Sequence, residues 1–120
     1  MFDWNNPTTM LLGRYQPWHP GHTALFERAH EKTGQVCIMI RNTFETNESN
    51  PYPFEKVRDN IKHDLEEAGF EYYDDYVIMK VPNITNITYG RDVGYAIEQE
   101  HFDEAIEAIS ATKIRESSED

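Results

Sequence analysis

Three short apolar runs constrain this chain most: TTMLLG (8–13), VCIMI (36–40) and YVIMKV (76–81). Each is rich in aliphatic or β-branched residues and shows no strict polar alternation, which suits a strand buried on both faces. The stretches between them change period. From about Gly21 to Lys32, His22, Leu25, Phe26 and Ala29 share one helical face, and Gly34 supplies a stop. In FEKVRDNIKHDLEEAGF (54–70), Phe54, Val57, Ile61, Leu65 and Ala68 form a second stripe, ended by Gly69. Strand, helix, strand, helix, strand is the order of a parallel sheet with helices on its faces, so the fold class is α/β. NTFETNESNPYP (42–53) is polar and aperiodic and reads as a loop, and Pro82 closes the third strand. Beyond it, ITY (87–89) and YAIEQ (95–99) read as two brief strands, giving a sheet of about five. SATKIRE (110–116) reads as the first turns of a last helix, with Ser110 as N-cap.

The chain has 120 residues, room for one domain over 1–120 with no linker visible inside it. No apolar run approaches the length of a membrane-spanning helix, and MFDWNNPTT lacks the basic and apolar regions of a signal peptide. A lone cysteine, Cys37, excludes an internal disulfide and a cysteine-built zinc site. The Asn-x-Ser/Thr matches at Asn47, Asn83 and Asn86 then read as chance, and the cytoplasm is the expected location. Net charge is −11, from 22 acids against 11 bases, the wrong sign for a general nucleic-acid binder. Acidity does not disfavour a small phosphorylated ligand, which needs only a few well-placed bases. The acidic runs EHFDEAIE (100–107) and ESSED (116–120) read as solvated surface.

GRYQPWHPGH (13–22) leaves the first strand and opens the first helix. In open parallel sheets ligands sit outside the carboxyl ends of the strands, so the segment is placed for a site. A chance His-x-Gly-His in a chain of this composition has a probability of about one in a hundred. Gly21 permits close approach of a ligand to the main chain, and Pro20 removes a donor that a first helical turn does not need. Two imidazoles beside a helix N-terminus offer compact N–H donors next to a positive dipole end, which favours a phosphate. A His-x-x-His metal site and a purely structural turn stay open on these residues alone.

GRYQPWHPGH resembles the GRFQPxHxGH signature of the HxGH nucleotidylyltransferases. ISATKIR (109–115) resembles the ISxTxIR signature of the same superfamily, and NPYPFEKVR (50–58) its NPF…ER segment. The likeness runs from about residue 8 to 116, with the motifs in the family's order. It implies a Rossmann-like three-layer α/β/α sandwich with a mostly parallel sheet. It also implies transfer of a nucleoside monophosphate from a triphosphate to a phosphorylated small-molecule acceptor, with release of pyrophosphate. By that likeness His19 and His22 contact the α-phosphate. Gly13, Arg14, Tyr15, Gln16 and Gly21 line the nucleotide from the first strand's end. Ile109, Ser110, Thr112 and Arg115 hold the β- and γ-phosphates, and Mg2+ arrives with the triphosphate. Gly90, Arg91 and Asp92 in YGRDVGY (89–95) fall where the superfamily binds the nucleoside.

On their own chemistry, Ser110 and Thr112 at a helix start, with Arg115 a turn on, suit one anion. A Ser-capped helix with a solvated Arg fits them equally. Arg41 and Arg58 are candidates for further phosphate or acceptor contacts, or for surface ion pairs. Trp18 and Trp4 could stack on a ring or simply pack. His30, His63 and His101 stand isolated and read as surface residues. Gly-Arg-Tyr-Gln resembles adenylyl-transferring members, such as archaeal-type nicotinamide mononucleotide adenylyltransferases, more than cytidylyl-transferring ones. ATP is therefore expected before CTP, with the acceptor open and a homo-oligomer in keeping with the superfamily. A nucleotide-binding or regulatory module without turnover, or a part of a larger enzyme, is the competing class. A relative of class I aminoacyl-tRNA synthetases does not fit the length and acidity. Neither nucleic acid nor membrane is an expected partner.

Overall fold

A computed structural model of the chain describes residues 1–42, 52–91 and 94–100. Strand β1 (Thr9–Gly13), helix α1 (Pro20–Thr33), strand β2 (Val36–Arg41), helix α2 (Phe54–Glu67) and strand β3 (Tyr76–Val81) follow in that order. All pairings are parallel and the sheet order is β1-β2-β3. The register aligns Leu11 with Ile38 and Ile78, and Leu12 with Met39 and Met79. The α/β class and the parallel sheet are as the sequence implies, and each of the five elements falls within two residues of its expected bounds, save the end of α2.

Side-chain alternation along the strands decides what each face meets. Leu11, Val36, Ile38, Ile40 and Tyr76 point toward the helices and meet Phe26 and Ala29 of α1 with Val57, Ile61 and Leu65 of α2. Phe26 is fully buried at the centre, with the Phe70 and Tyr76 rings edge-on at 4.8 and 5.6 Å. Burial of a phenylalanine contributes about 1.5–3 kcal/mol, and such ring pairs add about 0.5–1.5 kcal/mol. On the opposite face Cys37 and Val77 are buried under Phe2, and Met39 packs beside them. Phe2 is held there by Gln35, a buried polar residue whose amide spans the N-terminal segment. Its oxygen accepts from Asp3 N–H at 3.1 Å, and its nitrogen donates to the Asp3 carbonyl at 2.7 Å and to Thr8 Oγ1 at 2.8 Å.

Helix ends follow local chemistry. Gly34 closes α1 in the left-handed region at φ 83°, and its N–H returns to the His30 carbonyl at 2.7 Å. Helix α2 stops at Glu67, with Ala68 as its cap and exposed, so the apolar stripe ends one turn earlier than the pattern predicts. His30 is half-buried rather than a surface residue. Its Nε2 lies 3.0 Å from Asp75 Oδ1, and its ring leans on Phe70 at 5.2 Å. His63 is exposed beside Glu67, as the sequence implies, and His101 lies outside the described residues.

The described residues hold three strands, not about five. Residues 87–89 and 95–99 form no strand, and Ile87, Tyr89, Tyr95 and Ile97 are all exposed. Alternation marks two sides of a segment but supplies no neighbour, and without a ladder these short pieces bury nothing. Residues 43–51 of the expected loop and the expected helix 110–116 lie outside the described residues. Among the described residues no helix is long and apolar enough to cross a membrane.

Candidate active site

The chain leaves β1 through Gly13 and Arg14 and enters α1 at Pro20, so the intervening loop stands at the carboxyl end of the sheet. Two residues shape that loop. Tyr15 takes a positive φ of 53°, uncommon for a large side chain, and its ring folds back over Gly13. A Cβ on Gly13 would lie 2.9 Å from the Tyr15 ring, so glycine is needed here to make room for a neighbour's side chain. Trp18 is buried and donates from Nε1 to Thr23 Oγ1 at 2.9 Å. It therefore packs within the loop rather than offering an open face to a ligand ring. Trp4 is exposed and edge-on to Phe2 at 5.4 Å.

His19 is the N-cap of α1, with Pro20 at the first helical position. Its Nδ1 accepts from Gly21 N–H at 3.1 Å, and its own N–H donates to His22 Nδ1 at 3.2 Å. The pair forms a reciprocal capping box in which imidazole nitrogens take the places usually filled by hydroxyl and carboxylate oxygens. Acceptance at Nδ1 puts the proton of each neutral ring on Nε2. The rings stack with centroids 3.8 Å apart. Tyr15 stands edge-on to His22 at 4.9 Å and Trp18 lies 5.3 Å away, so His22 sits in an aromatic box.

That box decides protonation. Burial pushes His22 down to about 3, with a smaller push from the neighbouring His19 charge, and burial also lowers His19. Both rings are neutral at physiological pH, each with an Nε2–H donor. Arg41 Nε is the single buried side-chain nitrogen or oxygen without a hydrogen-bond partner among the described residues, so neither imidazole Nε2 is sealed in the core. The same geometry argues against the metal alternative. A ring coordinating through Nε2 carries its proton on Nδ1, but here both Nδ1 atoms accept main-chain N–H groups. Among the described residues no three His, Cys, Asp or Glu side chains cluster for a metal.

The other expected residues divide. Gln16 is buried and both ends of its amide meet the main chain of Tyr52. Nε2 donates to the Tyr52 carbonyl at 2.9 Å, and Oε1 accepts from Tyr52 N–H at 2.8 Å. Both bonds tie an amide expected near the phosphates to the entry of α2. Arg14 is half-buried directly after Gly13. Arg41 ends β2, with one guanidinium nitrogen 3.5 Å from the Ile84 carbonyl. Arg58 pairs with Asp59 at 3.1 Å on the exposed side of α2. Gly90 and Arg91 are exposed in a segment without helix or strand. Asp92, Ile109, Ser110, Thr112 and Arg115 lie outside the described residues. Sequence reasoning missed the supporting roles of Tyr52, whose main chain meets the Gln16 side chain, and of Gln35, whose amide meets Asp3 and Thr8, because each partner lies far along the chain.

A parallel sheet with a paired-histidine loop at the carboxyl end of its first strand places the chain in the nucleotidylyltransferase superfamily. Residues 10–117 match the family described as cytidylyltransferase-like, and the chain belongs to it. It is 35% identical over 63 residues to a nicotinamide-nucleotide adenylyltransferase from Methanolobus tindarius, a match taking in 52% of this chain and 36% of the relative. Its fold is similar to that of a bifunctional NMN adenylyltransferase/ADP ribose pyrophosphatase from Francisella tularensis. The crystal structure of that protein with AMP and a manganese ion matches at TM-score 0.59 and 33% identity, over 64% of this chain and 23% of the other. A second structure of the same enzyme matches at 0.60 and 33%, over 64% and 22%. The chain thus spans about a third of the curated relative and less than a quarter of these structures.

Proposed function

We propose that this chain carries the active site of an adenylyltransferase. In the reaction an anionic phosphate oxygen of a small-molecule acceptor attacks the α-phosphorus of ATP. The bond from that phosphorus to the oxygen bridging to the β-phosphate breaks, and its electron pair leaves with pyrophosphate. The acceptor is already ionised, so no protein base is required. The protein's work is positioning and stabilising charge on the α-phosphate oxygens. The observation that carries this reading is the pair of neutral imidazoles whose Nδ1 atoms are taken by the backbone, leaving two Nε2–H donors at a helix N-terminus. Such fixed donors need no reorganisation as charge grows.

Arg41 supports the same reading by its place: it ends β2, at the carboxyl edge of the sheet where ligands of open parallel sheets sit. Arg14 adds a second cation beside the loop, and Gly21 puts no side chain at the helix entrance. Ser110, Thr112 and Arg115, with Ile109, are assigned the pyrophosphate, and Gly90, Arg91 and Asp92 the nucleoside, on the resemblance of their motifs. Arg58 is the weaker candidate for an acceptor contact, because Asp59 already pairs with it. Mg2+ is expected to arrive with ATP, bound mainly through phosphate oxygens; the Francisella enzyme was crystallised with AMP and manganese. Nicotinamide mononucleotide is the first acceptor to test, since similar proteins bear that activity in their names. The cytoplasm is the proposed setting.

The test is pyrophosphate release from each of the four ribonucleoside triphosphates with magnesium and a set of phosphorylated acceptors. Release from ATP with one acceptor, abolished when His19 and His22 are both replaced, supports the reading. Release that survives the double replacement contradicts it.

A further inference from the structure

Two motif segments meet at one side chain. GRYQPWHPGH and NPYPFEKVR are 36 positions apart at the contact, yet the Gln16 amide forms two hydrogen bonds, of 2.9 and 2.8 Å, to the carbonyl and N–H of Tyr52. This is the pairing one strand residue makes with its neighbour, supplied here by a side chain. Gln16 is buried, and Tyr52 and Phe54 pack against the main core, to which Tyr15 and Trp18 belong. Pro53, between them, is the N-cap of α2 and gives that helix no side-chain cap bond. The Gln16 clamp and packing therefore act on the entry to α2 together with the first-turn bonds from Lys56 and Val57 N–H to the Pro53 carbonyl.

We propose, resting on the adenylyl-transfer reading above, that Gln16 is a positioning residue. It fixes the Tyr52–Phe54 entry of α2 against the histidine loop, so that the two motif segments close on the substrates as one unit. Its own amide touches no phosphate. Loss of the clamp leaves His19 and His22 in place, because their hydrogen bonds lie within the loop itself. Triphosphate binding then survives, and turnover, which needs both segments in register, does not.

The Tyr52 amide reads the clamp directly. Its exchange with deuterium is compared in the wild type, Gln16→Ala and Gln16→Glu, at a temperature where each is fully folded. Alongside it, kcat with ATP, magnesium and nicotinamide mononucleotide, and the Kd for Mg·ATP, are measured. Gln16→Ala is expected to lose Tyr52 protection by about tenfold or more and kcat by a similar factor, with Kd changed less than about twofold. Gln16→Glu, when its carboxyl is protonated, has the donor and acceptor pattern of the amide. Its Tyr52 protection factor is expected to recover as pH falls, and this variant serves if the Ala chain does not fold. Unchanged protection in Gln16→Ala overturns the clamp. Lost protection with unchanged kcat makes Gln16 merely structural, and a matching loss of Mg·ATP affinity makes it a ligand contact; either overturns the positioning role. A wild type that releases no pyrophosphate overturns adenylyl transfer and the positioning role together, while the exchange measurement still decides the clamp.

Discussion

His19 and His22 stack at 3.8 Å, and the His19 main-chain N–H donates to the ring of His22 while the ring of His19 receives the N–H of Gly21. Helix capping takes one nitrogen of each ring, and on the proposed reading the other meets the ligand. The Nδ1 atoms hold the helix start, and the proposal assigns the Nε2 atoms to the triphosphate.

The two duties can be separated. His19→Asn keeps an oxygen where Nδ1 accepts from Gly21 N–H but removes the Nε2–H donor, and His22→Gln does the same at the third helical position. Each is expected to leave urea stability within about 0.5 kcal/mol, whereas His19→Ala costs about 1 kcal/mol. Turnover is expected to fall about 10^2–10^3-fold in the Asn and Gln variants. Full activity in His19→Asn would mean that its Nε2–H does not reach the reacting phosphate.

Stability is expected to depend on pH through the same rings. Burial holds both histidines below their unfolded value of 6.5, with His22 at about 3. Between those values the unfolded chain binds more protons than the folded one. Stability is therefore full above 6.5 and falls as pH drops toward 3, by up to about 1.4 kcal/mol per pH unit for His22, with His19 adding in the same direction. Urea midpoints from pH 7.5 to 4 in wild type and His22→Gln check this, the variant having a visibly shallower slope. Equal slopes would place His22 in water.

Gly13 is expected to answer to Tyr15. Gly13→Ala puts a methyl 2.9 Å from the Tyr15 ring and should cost about 1–3 kcal/mol. In a Tyr15→Ala background the same change should cost well under half of that. A double-mutant cycle on thermal or urea unfolding reads the coupling, and additivity would show that the ring is not what excludes the methyl.

On the other sheet face, Gln35 is expected to control access to Cys37. The thiol is buried, and burial raises its pKa, so it should react slowly with a thiol reagent. Gln35→Ala releases the bonds to Asp3 and Thr8 that hold Phe2 over it, at a cost of about 1–3 kcal/mol. Reaction of Cys37 should then accelerate by about tenfold or more while the chain remains folded. An unchanged rate would mean that Phe2 covers the thiol without help from Gln35.

Local signals made much of this legible. Apolar runs closed by Gly13 or Pro82, and helical stripes closed by Gly34 or Gly69, have the period and punctuation of their elements, and the structure places them accordingly. The position of the histidine loop between a strand and a helix was legible too, and the structure places it there. What was not legible depends on distant partners. The Gln16 amide suits a phosphate in isolation, and only folding brings Tyr52 against it. His30 gains its burial from Phe70 and Asp75, some forty residues on. Ile87, Tyr89, Tyr95 and Ile97 alternate as strand residues do, but no ladder forms on them.

The central test is imidazole nitrogen NMR of the wild type at neutral pH, recorded before and after Mg·ATP is added. Expected are two neutral rings protonated at Nε2, with Nδ1 of each bare, and both Nε2 signals moving when the nucleotide binds. A Nδ1-protonated ring, or Nε2 signals indifferent to saturating Mg·ATP, would contradict the assignment of His19 and His22 as neutral donors to the triphosphate.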